Sequence, residues 1–239
     1  MNAGIPGRSA PADEGLCELQ LKVISREIVT PSRNPPIAIH LSKLRSFVRV
    51  PPPPSARLTF RSWTDGDTAL AEALWCDPEV THYFGGAMTT EQVRARLDLE
   101  RERENSLGMQ YWPMFLRDTG EFVGCAGLRP WSMDPQTIEV GVNIMRFAWG
   151  LRLGEESLRA VLGYGFDTMR LPVIVAGHGL GHENSKKLLE RMGFGYTHKI
   201  LWGPKEIEVC MYAIDAGRWG LTSPGPSAAA DEGPGAPAT

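Results

Sequence analysis

The chain has 239 residues and sets 25 Lys and Arg against 28 Asp and Glu, for a net charge of −3. That length suits one domain with tails or two small domains, and 42% hydrophobic with 22% charged residues is a globular composition. The near balance of charge gives no basic field of the kind that draws nucleic acid, so no nucleic-acid partner is expected. The four cysteines, Cys17, Cys76, Cys125 and Cys210, are scattered without a CxxC pair. This argues against a disulfide framework or a cysteine zinc site and fits a reducing compartment. No apolar run approaches the ~18 residues of a membrane helix, and the Met1 end lacks a charged-then-apolar secretory layout. A soluble, cytoplasmic protein with no membrane partner is the expectation.

Proline marks the boundaries. Nine of the 19 prolines lie in residues 1–54 and four in 220–239. The first stretch is mildly basic and ends in Pro51-Pro52-Pro53-Pro54, a stiff spacer with no amide hydrogens to pair. Residues 1–54 therefore read as a poorly ordered extension, with Ile37–Val50 a candidate amphipathic or targeting segment. The Gly/Pro/Ala/Ser tail at 220–239 reads as disordered. The domain is left at 55–219, large enough to bury its own core.

Within it the pattern alternates between strand and helix periods. Arg57–Ser62 reads as a strand, followed by a short helix from Asp67 to Trp75. Thr89 and Gln92 make a capping-box pair before a helix with Val93 and Leu97 on one face. Tyr111–Arg117 and Phe122–Leu128 flank Asp118-Thr119-Gly120 as a hairpin. Thr137–Ile144 is the next strand, and Leu158, Val161, Leu162 and Phe166 then recur at helical spacing over Glu155–Met169. Pro172–Ala176 is a short apolar strand. Ser185–Met192 is a helix stopped by Gly193, which suits a left-handed cap. Tyr196–Trp202 and Glu206–Ile214 form a last hairpin around Gly203-Pro204. The order predicts an α/β (α+β) fold: a mixed, mostly antiparallel sheet of about seven strands with about four helices.

Chemistry concentrates in Ile138–Ser157, where a strand enters a loop with Gly150 and Gly154 and a helix begins at Glu155-Glu156. Backbone N–H groups delivered to a helix N-terminus make an anion site, because first-turn amides lack partners and the dipole is positive there. Arg146 and Arg152 flank the loop and can add charge-assisted bonds to phosphate. A plain strand–helix turn would use the same glycines. Gly177-x-Gly179-x-Gly181 lacks dinucleotide-fingerprint spacing, and no acidic residue follows at the ribose position. His178 and His182 are four apart but have no evident third ligand, so no metal is expected. GxSxG, P-loop and HExxH motifs are all missing.

Arg57-Leu58-Thr59-Phe60-Arg61-Ser62-Trp63 resembles the opening strand of the RimJ/RimL-type branch of the GNAT N-acetyltransferases. The likeness continues through Asp65–Asp67, Trp75-Cys76-Asp77-Pro78-Glu79-Val80, Thr119–Leu128, Ile138-Glu139-Val140-Gly141, Trp149-Gly150, Leu189–Phe194 and Trp219. It covers about 57–219; each motif is weak alone, but the order and spacing together are specific.

The resemblance implies a GNAT-like fold and an N-acetyltransferase that moves an acetyl group from acetyl-CoA, as cosubstrate, to a primary amine. The acceptor would be a protein N-terminus or a small molecule, and the protein a monomer or homodimer. The alternative is a non-catalytic module that binds acyl-CoA or a partner. In the family the strand like Thr137–Ile144 splays from the strand like Pro172–Ala176, and pantetheine lies in that cleft. By position, Ile144 with the loop Trp149, Gly150, Leu151, Arg152, Leu153 and Gly154 would bind the cofactor. Arg152 departs from the pattern, standing where a glycine is usual. The family's Asn-x-x-Ser becomes His182-x-x-Ser185 by spacing, or Asn184-Ser185 by residue type, and Asn184 is the candidate cofactor ligand. Glu139 is the candidate general base. The tyrosine many relatives use as general acid falls at Leu189, which leaves Ser185 as candidate acid and Tyr196 as the nearest phenol.

Overall fold

In the computed structural model, which describes residues 50–203 and 205–222, seven strands form one sheet. They are β1 (Leu58–Phe60), β2 (Tyr111–Leu116), β3 (Phe122–Trp131), β4 (Asp134–Ile144), β5 (Val173–Gly179), β6 (Gly195–Trp202) and β7 (Ile207–Asp215). Their spatial order is β1-β2-β3-β4-β5-β7-β6. All neighbours are antiparallel except β4 and β5. That pair is parallel because a helical crossover separates the two strands in sequence. The expected mixed, mostly antiparallel sheet is the one observed.

Six α-helices accompany it: α1 (Thr68–Trp75), α2 (Pro78–Thr81), α3 (Thr90–Leu107), α4 (Leu153–Gly163), α5 (Glu183–Arg191) and α6 (Ala216–Thr222). The expectation of about four missed α2 and α6, which are too short to show a period. Local chemistry still explains α2: Asp77 Oδ1 accepts the Glu79 N–H at 2.8 Å, and Pro78 occupies the first helical position. The α6 helix runs on to Thr222 and buries Trp219. Residues 1–49 and 223–239, which hold most of the expected extension and tail, lie outside the described residues.

The sheet carries a core on each face. On one, α1 and α3 set Trp75, Leu74, Val93 and Leu97 against Tyr111 and Cys125. On the other, α4, α5 and α6 set Leu158, Leu162, Leu189 and Trp219 against Leu128, Ile138 and Ile174. The capping box before α3 forms as read: Thr89 N–H donates to Gln92 Oε1 at 2.9 Å, and Gln92 N–H to Thr89 Oγ1 at 3.3 Å. Gly193 has φ of 89°, and Phe194 N–H reaches Leu189 O at 3.0 Å, closing α5 with a left-handed glycine.

The helix read over Glu155–Met169 is shorter in its α form. It ends at Gly163, and Tyr164–Thr168 is a π turn. Met169 N–H reaches back to Tyr164 O at 3.0 Å. Widening the turn lets Tyr164, Phe166 and Met169 all enter the core, with Tyr164 stacked edge-on against Trp112 at 5.4 Å. The helix read over Ser185–Met192 starts earlier, with His182 in the cap position.

A half-buried ion pair joins the end of the first strand to α1. Arg61 grips Asp67 with two bonds of 2.6 and 2.7 Å, and the Thr64 N–H and hydroxyl add bonds of 2.7 and 2.8 Å. The Arg61 hydrogen bonds above all hold the Asp67 carboxyl at about 2, below the usual 3.8. A depressed carboxyl contributes stability that is present above its unfolded pKa and lost as pH falls through the folded one. Asp67→Asn should therefore cost about 2 kcal/mol at neutral pH. In melts at stepped pH, the gap to the parent should close between about pH 4 and pH 2.

Candidate active site

The β4–β5 ladder closes at one position only, Glu139 opposite Val175. Both strands continue past it, β4 to Ile144 and β5 to Gly179, so the sheet opens into a cleft beyond that pair. Parallel neighbours normally exchange bonds along their whole overlap. Here the backbone edges beyond Glu139 are available to an extended ligand. At the far end Gly154 of α4 faces Leu188 of α5 and Ile144: a Cβ there would make ordinary contact with Leu188 Cδ2 at 3.6 Å and Ile144 Cγ1 at 4.0 Å. Ile144, α4 and α5 therefore meet at the mouth. The Ile144 carbonyl is already taken by the Trp149 indole N–H at 2.8 Å.

The loop from β4 to α4 holds Trp149, Gly150 and Leu151 exposed. Two of its residues are left-handed, Gly150 at φ 78° and Arg152 at φ 60°. The second explains why a glycine is usual there: an L-residue in that region costs ~1–2 kcal/mol. The Arg152 side chain is 72% exposed and donates to Glu155 Oε2 at 3.0 Å, so it neither fills the cleft nor is buried by it. Leu153 is buried in the core. Glu155 also meets Arg159 at 3.3 Å and Arg191 of α5 at 3.4 Å. The Arg152 hydrogen bond leads the causes that hold its carboxyl below the ordinary range. Three guanidinium groups share the Glu155 carboxylate, which leaves this cluster positive beside the first-turn amides of α4.

The same mouth is anchored from the start of β1. Glu156 Oε1 accepts from Ser55 Oγ and from Arg57 N–H, each at 2.7 Å, and Oε2 from Arg57 Nε at 2.7 Å. Arg57 also donates to Leu151 O at 3.1 Å, fixing the loop.

Glu139 stands on the α1–α3 face of the sheet, at the fork. Its Oε1 takes the Arg129 Nε–H directly across the β3–β4 pair. Tyr111 reaches the same oxygen at 3.5 Å. Oε2 has no hydrogen-bond partner among the described residues. Tyr111 comes from β2, two strands away, and crosses because Gly127 and Gly141 line up in register beneath it. A Cβ on Gly141 would collide with the Tyr111 hydroxyl. Burial pushes the Tyr111 phenol well above its ordinary value, so it stays protonated and donates. Burial likewise lifts the nearby Cys125 thiol to about 12, which removes it as a nucleophile.

Asn184 and Ser185 lie in the first turn of α5, Asn184 exposed and Ser185 half-buried. The cap is His182, whose ring stacks on Tyr83 at 4.1 Å. Burial first, then His178 and His82, hold His182 below its ordinary value, so it is neutral there at pH 7. Leu189 is in the core, and Tyr196 is 56% exposed on the edge strand β6. The structure thus sets Glu139 at the fork, with Ile144 and the exposed residues 149–151 at the mouth, while Leu153, expected at the cofactor, is buried in the core and Tyr196 is left out. Sequence reading missed Tyr111, Arg129 and the α3 arginines. Their signal was the Arg96, Glu100, Arg103 spacing, which sets three charges on one helix face. Among the described residues no group of three or more His, Cys, Asp or Glu could hold a metal ion, and no helix is long and apolar enough to cross a membrane.

The comparisons bear on the fold and the family. The chain is 31% identical over 155 residues to the uncharacterised protein YkkB of Bacillus subtilis, covering 64% of this chain and 90% of that one. It is 30% identical over 146 residues to the uncharacterised N-acetyltransferase YoaA of the same organism, with 58% and 79% covered. Among solved structures, a GNAT-family acetyltransferase from Bacillus anthracis superposes with a TM-score of 0.58 at 21% identity, covering 68% of this chain and 97% of that one. The RimL acetyltransferase of ribosomal L7/L12 in complex with coenzyme A gives 0.57 at 14% identity, with 69% and 97% covered. A family profile described as the acetyltransferase (GNAT) domain matches residues 57–195, more than half the chain, and the chain belongs to that family.

Proposed function

We propose that this chain is an acetyl-CoA-dependent N-acetyltransferase of the RimJ/RimL-type branch, acting on a primary amine. The observation that carries the reading is the single-position join of β4 to β5 with Glu139 at its fork. A cleft between two strand edges, opening onto a positively charged helix N-terminus, suits a ligand with a long amide-bearing arm and a pyrophosphate. RimL is named as an N-terminal protein acetyltransferase with bound coenzyme A, and another structural neighbour as a spermidine N-acetyltransferase with CoA. Both are consistent with an amine acceptor.

Acetyl-CoA supplies the activated acyl carbon and the thiolate leaving group. The chain's part is to hold that carbon still and to manage protons. An α-amino group near pKa ~8 is mostly protonated at pH 7 and needs a base before it can attack. Glu139 Oε2 is the acceptor we assign, directly or through one water. Oε1 is held by Arg129 and Tyr111, which fix the direction in which Oε2 points. Ser185, half-buried at the start of α5, is the proton donor we assign to the departing sulfur. The arm of the cosubstrate would lie along Ile144, with its phosphates on residues 149–154 and Asn184 beside them. We assign residues 55–219 as the transferase unit and the cytoplasm as its location.

Glu139→Gln keeps the shape and removes proton acceptance, so turnover measured by thiol release should fall by roughly 10²–10⁴-fold. The rise in melting temperature with saturating CoA should persist in that variant. Full activity in Glu139→Gln would remove the base assignment, and a parent melting temperature indifferent to CoA would remove the cosubstrate. Gly141→Ala should displace Tyr111 and cut turnover by up to ~10²-fold, the cost of misplacing a group by about an ångström. Arg152→Gly should raise the melting temperature of the free protein by relieving ~1–2 kcal/mol of backbone strain. It should also shrink the CoA-induced rise, because the mouth loses a cation; the two effects are read separately in melts with and without CoA.

A further inference from the structure

The α1–α3 face beside Glu139 carries a charge that the fold does not neutralise. Among the described residues Arg96, Arg103 and Arg129 form ion pairs there only with Glu100 and Glu139. Glu100 is committed through both oxygens and Glu139 through Oε1. Glu100 is fully buried, accepting the Tyr111 N–H at 2.8 Å and Arg103 Nη1 at 3.4 Å, and Glu139 holds Arg129. Arg96 is the remainder. Its Nε lies 3.7 Å from Glu100 Oε1, too far for a hydrogen bond, and is buried with no partner. Its two Nη groups have no hydrogen bond among the described residues, yet they are not sealed from solvent, and the side chain is 16% exposed.

The guanidinium is nevertheless fixed. It lies over the Trp75 ring at 4.1 Å and near the Tyr111 ring at 5.7 Å, and the Trp75 indole is itself held by Asn143 at 3.1 Å. Arg129 stacks on the same Tyr111 at 4.9 Å, and the Tyr111 hydroxyl points at Glu139. One tyrosine therefore links the unpaired fork of Arg96 to the carboxylate at the cleft. A planar, immobilised guanidinium with two idle N–H edges matches a carboxylate, which it can grip bidentately. Desolvation, and next to it the repulsion from Arg129, hold Arg96 below its ordinary value against the pull of Glu100, so a further anion is favoured at this spot.

We infer that Arg96 selects the acceptor: the amine this chain acetylates carries a carboxylate, which Arg96 grips while Glu139 takes the amine's proton. The inference rests on the acetyltransferase reading and narrows it from primary amines to amino acids or acidic peptide N-termini. Polyamines, which bring only positive charge, would meet a cationic fork.

The test is a paired-acceptor assay on the full chain, following thiol release from acetyl-CoA. One arm sets α-amino acids, β-alanine and γ-aminobutyrate against their carboxamides. A second sets short peptides with Asp in second place against the same peptides with Asn. Parent protein should prefer the acid member of one arm by roughly 10–150-fold in kcat/KM, the range for hydrogen bonds to a charged group. Arg96→Gln should collapse that ratio toward one, mainly through KM. Arg96→Lys, which keeps charge but not the fork, should recover part of it and guards against a folding defect, checked by the melting temperature. Equal use of acid and amide in both arms, or a ratio unmoved by Arg96→Gln, overturns the inference and leaves the transferase reading standing. If no amine is acetylated, that reading falls first. Calorimetry with saturating CoA then decides the inference, since an N-acetyl amino acid must bind more tightly than its amide and lose that advantage in Arg96→Gln.

Discussion

The site depends on where two parallel strands stop exchanging hydrogen bonds. Backbone N–H and C=O groups left without partners away from water are costly, so sheets normally close their ladders. This sheet pairs β4 with β5 at Glu139 and Val175 and nowhere else. The consequence is a slot whose two walls are peptide edges. The neighbouring strands hold it open, because β3 stays in register with β4 through Ile144 and β7 with β5 through Gly179. Neither wall can drift across to close the gap without breaking a ladder on its other side.

The chemistry then follows from register. Arg129 and Glu139 are opposite residues on β3 and β4, and such cross-strand pairs interact strongly when half-buried. Gly127 and Gly141 are the next pair along that face: the missing side chain of Gly127 lets the β2 backbone at Gln110 come close, and that of Gly141 leaves room for the Tyr111 hydroxyl. The aromatic floor is thus built from the absence of the Gly141 Cβ as much as from the side chain that fills the space. The α3 helix closes the face with Glu100 and its arginines. Burying those charges is tolerable only because the Tyr111 amide, two aromatic rings and each other take up most of their demand.

Much of this was legible in the sequence. Strand periods, the Thr89–Gln92 cap and the Gly193 stop were readable because each is a short-range signal with a fixed offset. The glycine-bearing loop from Arg146 into the helix at Leu153 was readable for the same reason. The cluster around Tyr111 was not, because its members come from β2, α3, β3 and β4 and only the register brings them together. Arg96, Glu100 and Arg103 look like an ordinary solvated helix face until α3 is laid on the sheet. The π turn at Tyr164–Thr168 was likewise invisible, since the apolar spacing of an α-helix and of a widened turn differ by a single residue.

The Glu156 anchor has a bearing on where this domain begins. Ser55 and Arg57 precede β1, yet they supply the bonds that fasten the first turn of α4 and the Leu151 carbonyl. In sequence they lie about a hundred residues from the loop they secure. One side of the mouth is therefore fastened by the chain's own entry into the fold. A boundary drawn at the first strand residue, Leu58, would keep the whole sheet while cutting the bonds that tie Glu156 and the Leu151 carbonyl to the start of the fold.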